Sequence, residues 1–450
     1  MPSPSSPDGY SEAVQKALKT AKIGDKIGFS KNGKAFVGFL MPKSAGNPDA
    51  IVVKLENGYN VGVHYEKGAE IQLLEKRAVE VGTHKASALH FDESKPAVSL
   101  VTTGGTITSK VDYATGGVVS LMDPAELLVT APELADFVNV VSIVSPFRKM
   151  SENMTPSDWI ELAKTVAKEL NKDEIKGVIV THGTDILHYT SAALSFFLKN
   201  LNKPVVLVGS QRSTDRPSSD ASMNLICAAR IAISDAAEVG ICMHSSSSDD
   251  YCIFSRGSKV RKMHASRRDA FRPINDLPIA KVFPDGKTEF LGNYRRRSDE
   301  KVVLDDVFEE NIALIKFYPG SNPNIIDHYI KNSCKGFVIE ATGLGHVNVS
   351  GKNSWLSAIS SATKKGIPVF FVPQTLYGRL NMNVYSSGRI LIQAGVVPLE
   401  DMLPETAYVK LGWVLGHKDV AKDIEKVKQM MLTNIAGEIS PRSLPDTFLY

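Results

Sequence analysis

Between Gly24 and Leu74, apolar residues fall in short runs that alternate with polar positions, at 26–29, 35–40, 51–55 and 59–63. Alternation with period two marks half-buried strands. The Asn57-Gly58 pair between the last two runs predicts a hairpin, because both residues accept the positive φ that a tight turn demands. The pattern gives a small SH3-like β-barrel over residues 1–85, led by an amphipathic helix near 11–20. The polar, mixed stretch from Val79 to Lys95 reads as connecting chain, with the linker set at 86–96.

From Ala97 the rhythm changes to strand, glycine-rich turn and helix. Buried runs are read at 98–101, 178–180, 204–208 and 238–243, with a helix over 218–234. Leu187, Thr190, Leu194, Phe197 and Leu201 recur at helical spacing, so another helix begins where Asp185 ends. Alternating strands and helices imply parallel βαβ units. The larger domain is set at 97–295. Charge and turn residues thicken from Tyr294 to Asp306, Arg295-Arg296-Arg297 among them, and 296–310 is read as a second linker. A further βαβ series follows, with strands at 312–317, 336–340 and 368–372 and helices near 324–332 and 352–365. Helices over 399–415 and 420–432 complete a smaller domain, 311–450. The fold class is therefore α/β, two doubly wound domains behind a small barrel.

Composition narrows the function. With 450 residues the length suits about three domains. A net charge of +3 is too small for its size to draw nucleic acid or a membrane through the bulk field, so any RNA contact is local. Cys227, Cys242, Cys252 and Cys334 form no C-x-x-C pair and read as reduced thiols. No apolar run reaches the roughly 20 residues a bilayer requires, and residues 1–9 carry no signal-peptide pattern. The expected compartment is the cytoplasm, with no membrane partner.

Two turns carry the candidate chemistry: Thr103-Gly104-Gly105-Thr106-Ile107 and Thr181-His182-Gly183-Thr184-Asp185, each after a β-branched apolar run. Ligands bind at the carboxyl ends of strands in open α/β sheets, and glycines let backbone N–H groups approach a substrate closely. Hydroxyls, a carboxylate and bare amides together suit acyl transfer. Thr106, just past two glycines, is the nucleophile candidate. Thr184 and Asp185 add a second hydroxyl and a carboxylate. The plainer alternative is that both threonines cap helices. A base must take the nucleophile's proton, and Lys262, in the segment 256–266, is the candidate. A lysine bound to both a carboxylate and a threonine hydroxyl relays a proton by triad logic. The competing reading of that Arg/Lys-rich segment is a solvated face. His182, His188 and His244 lack metal-ligand spacing, so no metal is expected. Gly343-Leu344-Gly345 reads as a close-packing turn rather than a dinucleotide fingerprint, and 245–250 as a polar loop.

Both turns, taken as Thr102 to Ile107 and Val180 to Asp185, match the paired signatures of the bacterial-type L-asparaginase family, which this chain resembles from about Lys95 to its end. Including the barrel, it looks most like the branch that serves archaeal glutamyl-tRNA(Gln) amidotransferase. The resemblance implies two asparaginase-like domains, with Thr106 as nucleophile, Thr184, Asp185 and Lys262 as relay, and Tyr113 closing over the substrate. It also places Ser151, Glu152 and Gly105 at the substrate. Glu152 departs from the Asp or Gln of free-standing asparaginases, which puts asparagine specificity in doubt. Glu152 and Asp185 are expected to pair with the substrate's α-ammonium, and N–H groups near Gly105 and Thr184 to form an oxyanion hole. Glutamine or asparagine is the implied substrate. A homodimeric core within a heterotetramer is implied, together with a transferase partner that uses ATP and Mg2+ to act on tRNA(Gln) charged with glutamate; this chain itself takes no cofactor. The barrel and Arg295 to Arg297 are expected to help dock that partner or its tRNA. A stand-alone cytoplasmic asparaginase and a non-catalytic tRNA-binding scaffold are the alternatives.

Overall fold

Ser11 caps helix α1 (Glu12–Leu18) by accepting from the Val14 N–H, and the helix buries Val14 and Leu18 against a small antiparallel sheet. The computed structural model describes residues 10–31, 33–41, 47–55, 60–76, 92–105, 109–111, 118–120, 131–213 and 219–450. Five strands build the small sheet: β1 (Lys26–Lys31), β2 (Lys34–Leu40), β3 (Ala50–Lys54), β4 (Asn60–His64) and β5 (Ile71–Glu75), in the order β4-β3-β2-β1-β5. Ile27, Leu40, Ile51 and Val53 fill its core. The predicted β3–β4 hairpin pairs Lys54 with Asn60; its Asn57-Gly58 turn lies outside the described residues.

The large domain is built on an eight-stranded sheet. Its parallel part comprises β6 (Ala97–Thr102), β9 (Asn139–Val144), β10 (Ile175–Thr181), β12 (Val205–Val208) and β13 (Val239–His244), ordered β9-β6-β10-β12-β13. β14 (Cys252–Arg256), β17 (Ala280–Val282) and β18 (Thr288–Phe290) extend it antiparallel. β10, β12 and β13 are almost wholly buried, which is why they read as continuous apolar runs rather than alternating ones. From β6 the chain steps to one side for β9 and to the other for β10, so the order reverses at the β6/β10 boundary, the kind of switch point where α/β sheets open a ligand crevice. Helices α2 (Pro156–Leu170), α3 (Leu187–Phe197) and α4 (Ala221–Ala232) pack on this sheet. The remaining strands form three two-stranded ribbons: β7 (Ser109–Val111) with β8 (Val118–Ser120), β11 (Leu198–Lys199) with β19 (Val303–Leu304), and β15 (Val260–Lys262) with β16 (Phe271–Pro273). The β11–β19 pairing lays part of the 296–310 stretch along the large domain.

In the C-terminal domain, β20 (Ile312–Lys316), α5 (Asn324–Lys331), β21 (Gly336–Ala341), α6 (Leu356–Lys364), β22 (Val369–Pro373), α7 (Ser386–Gln393) and β23 (Val396–Pro398) alternate, giving four parallel strands in chain order. Neighbouring residues of its strands point to opposite faces. Phe337, Ile339 and Phe371 pack with Trp355 and Ile359, while Val338, Phe370 and Val372 join the core of the large domain. Helix α8 (Pro404–Gly416) fills the seam: its Trp413 stacks on Phe196 of α3, centroids 5.6 Å apart. Helix α9 (Ile424–Leu432) packs on α8. The apolar pattern places the start of α8 near 399, but Pro404 occupies its first turn, where a missing N–H costs nothing. Residues 399–403 are thereby left as a loop that carries Asp401.

Candidate active site

β6 and β10 run in register, Thr102 opposite Thr181, so their terminal turns leave the sheet side by side. The Thr103 N–H and Oγ1 both donate to the Thr181 carbonyl, at 3.1 and 3.0 Å, and the Lys149 N–H donates to the Thr103 carbonyl at 2.9 Å. Gly104 and Gly105 have φ of +108° and +87°, conformations that side chains other than glycine's resist. A Cβ at Gly105 would overlap Cα and N of Gly183, and one at Gly183 would lie 2.7 Å from Ser151 Oγ. Three segments, 103–105, 149–152 and 182–185, thus meet almost backbone to backbone. Gly105→Ala is expected to lower folding stability by about 3 kcal/mol, measured by denaturant unfolding.

Lys262 stands at the end of β15 and bridges the second turn. Its Nζ donates to Thr184 Oγ1 at 2.9 Å and to Asp185 Oδ1 at 2.8 Å, across 78 and 77 residues of sequence. Thr184 is buried and the Lys262 side chain is 11% exposed, whereas that of Asp185 is 61% exposed. The triangle therefore opens outward at its carboxylate. Buried Ser151 joins through Oγ, which accepts from the Asp185 N–H at 3.3 Å. Glu152 follows on the short 3-10 turn Ser151–Asn153 and is exposed. Of the residues singled out from sequence, Gly105, Ser151, Glu152, Thr184, Asp185 and Lys262 come together here. Thr106, next along the chain from Gly105, and Tyr113 lie outside the described residues.

A bracing chain behind the second turn is not apparent from sequence. His182 Nδ1 lies 2.6 Å from the Gly183 carbonyl and Nε2 lies 2.9 Å from Thr190 Oγ1, which accepts from Trp159 Nε1 at 3.1 Å. Burial pushes the His182 imidazole down to about 4, so at neutral pH it is uncharged. The tautomer that satisfies all three bonds carries its proton on Nδ1, where the only acceptor is a carbonyl. Because Trp159 and Thr190 sit on α2 and α3, only the packed helices bring them to His182. Burial also pushes His188 down to about 3, with help from nearby Arg261 and Lys262. Among the described residues no three His, Cys, Asp or Glu side chains gather as a metal site, the four cysteines are free and buried, and no helix is long and apolar enough to cross a membrane.

The arginine cluster at 295–297 is divided. Arg297 turns inward and donates to the carbonyls of Ser234, Lys176 and Ala232. These include carbonyls left unpaired at the end of α4, so Arg297 is a structural cap rather than part of an exposed docking patch. Arg296 remains exposed, in an ion pair with Asp235 at 2.6 Å.

An arrangement of an amine held between a buried hydroxyl and an open carboxylate, beside glycine-tightened amides, can move a proton and receive a polar substrate. Comparison with known proteins agrees with that chemistry. The family descriptions that match are "GatD N-terminal domain" over residues 21–74, "Asparaginase, N-terminal" over 97–295 and "Glutaminase/Asparaginase C-terminal domain" over 311–431. A curated relative from Thermococcus kodakarensis, the GatD component of glutamyl-tRNA(Gln) amidotransferase, is 52% identical, covering 92% of each chain. The protein of that name from Pyrococcus furiosus is 49% identical over 96% of this chain and 98% of its own. Among solved structures, the thermostable L-asparaginase from Thermococcus kodakarensis superposes with a TM-score of 0.69 at 30% identity, covering 76% of this chain and 99% of its own. L-asparaginase I from Vibrio cholerae gives 0.65 at 27% identity, covering 77% and 99%. With asparaginase domains over most of its length and relatives matched nearly end to end, the chain belongs to the GatD family of glutamyl-tRNA(Gln) amidotransferase components, a branch of the asparaginases.

Proposed function

We propose that this chain is the amidohydrolase subunit of a tRNA-dependent amidotransferase, releasing ammonia from glutamine or asparagine for conversion of Glu-tRNA(Gln) to Gln-tRNA(Gln). The observation that carries the reading is the Lys262 amine bonded to both Thr184 and Asp185, beside the turn that leads into Thr106. In the proposed reaction the Thr106 hydroxyl attacks the side-chain carboxamide carbon. Its proton leaves through the Thr184–Lys262–Asp185 relay while a proton reaches the departing nitrogen, and the C–N bond breaks to release ammonia. Water then cleaves the threonyl ester, returning a proton to Thr106 and freeing glutamate or aspartate. Backbone N–H groups near Gly105 and Thr184 stabilise the oxyanion in both steps. Tyr113 closes over the substrate, and Glu152 with Asp185 holds its α-ammonium in a charge-assisted pair. Ser151 fixes the Asp185 backbone for that purpose.

The ammonia passes to a transferase partner, which uses ATP and Mg2+ on the tRNA-borne glutamate. Two copies of this chain form the homodimeric core of a cytoplasmic heterotetramer, and the barrel at 1–85 contacts the partner or the tRNA. A non-catalytic scaffold would have no need to keep Thr106, Thr184, Asp185 and Lys262 together. Ammonia release measured for the chain alone, then with its cognate transferase, Glu-tRNA(Gln) and ATP, should rise about tenfold or more in the full complex. Deleting residues 1–85 should spare the basal rate and abolish the rise. Rapid asparagine turnover by the chain alone, indifferent to the partner, would instead mark a stand-alone asparaginase.

A further inference from the structure

The relay amine sits on a weak support. β15 and β16 are a two-stranded ribbon, an element that is marginal without other packing. Its root and body are tied to the C-terminal domain. Thr406 Oγ1 donates to the Ser258 carbonyl at 2.9 Å, and Ser258 Oγ donates to the Ala436 carbonyl at 2.7 Å. Lys259 Nζ pairs with Asp401 at 2.6 Å, both side chains almost fully buried. One residue before Lys262, Arg261 Nε donates to Glu405 Oε1 at 2.6 Å, the Glu405 side chain being 6% exposed. Glu405 lies in the first turn of α8. Its Oε2 has no hydrogen-bond partner among the described residues, and the nearby His188, 3.9 Å from Oε1 through Nε2, is neutral. The charge of Glu405 is therefore directed at Arg261. Along a strand, Arg261 and Lys262 project to opposite sides, so a fixed Arg261 also fixes the rotation with which the chain presents the next amine.

We infer that Glu405 is a positioning residue: by pinning Arg261 from the C-terminal domain, it sets the place of the Lys262 amine between Thr184 and Asp185. The inference rests on the amidohydrolase reading for its catalytic consequence, but the geometry of the clamp is independent of it. Misplacing a reacting group by an ångström is enough to cost one to two orders of magnitude in rate.

The test uses the full chain in its complex and two readouts. The first is the initial rate of Lys262 acetylation by dilute acetic anhydride, mapped by mass spectrometry, with exposed Lys301 on the far side as the control. The second is the division of any loss between kcat and KM. Glu405→Gln is expected to raise Lys262 acetylation about fivefold with Lys301 unchanged, as local opening requires. It should also lower kcat for ammonia release about tenfold, with KM within about twofold. Glu405→Asp, which keeps the charge, should recover part of both losses, and it carries the same test if the glutamine variant does not fold. Wild-type acetylation or wild-type kcat in a folded Glu405→Gln protein would overturn the clamp. If the wild type released no ammonia from either amide while Lys262 protection still depended on Glu405, the functional reading would fall and the clamp would stand.

Discussion

Lys262→Met is expected to lower ammonia release about a thousandfold, the loss typical of removing a positioned proton-transfer group, while leaving the fold intact. The methionine keeps the apolar stem that lines the site but donates nothing to Thr184 Oγ1 or Asp185 Oδ1, the two atoms the amine holds. Stability should change by less than about 1 kcal/mol, because Asp185 is largely exposed and an ion pair with a wet partner contributes little. A kcat measurement beside a melting curve separates the two effects. Activity close to wild type with an unchanged melting temperature would send the proton along another route.

The surrounding groups explain why so much rests on one amine. His182 and His188 are the imidazoles nearest the second turn, and burial holds both neutral near pH 7. His182 is further committed to Gly183 and Thr190. Neither ring contacts the Thr184 hydroxyl among the hydrogen bonds of the described residues, whereas Lys262 does. The neutral state of His182 also suits its structural place, since a charged ring there would be buried without a carboxylate beside it.

How far the sequence foretold this site follows from the range of each interaction. The two turns were legible because each is local: a β-branched strand, then glycines whose missing Cβ admits a second backbone, as Gly105 against Gly183 shows. The barrel was legible through alternation, with Ile27, Ile51 and Val53 buried. Lys262, 77 residues from Asp185, was singled out by residue type and family resemblance, not by any local pattern. The supports behind it were out of reach. Lys259 meets Asp401 across 142 residues, and Arg261 meets Glu405 across 144; on paper each is one more charge in a polar stretch. Arg297 likewise read as exposed until α4 supplied its carbonyls.

Thr106→Val carries the second large effect. Valine matches threonine in shape but has no hydroxyl, so on the proposed mechanism no acyl-enzyme forms in either half of the reaction. Hydrolysis should fall by about four orders of magnitude or more, toward what binding and the oxyanion hole alone provide. The turn itself should persist, because its geometry is set by Gly104, Gly105 and the Thr103–Thr181 bonds rather than by the side chain that follows. Glutamine and asparagine should still bind. The decisive measurement is therefore ammonia released from each amide by the Thr106→Val protein in its full complex, with ligand binding to the same sample as the control for folding. Binding retained and ammonia absent is the predicted result; ammonia produced at the wild-type rate would contradict the account.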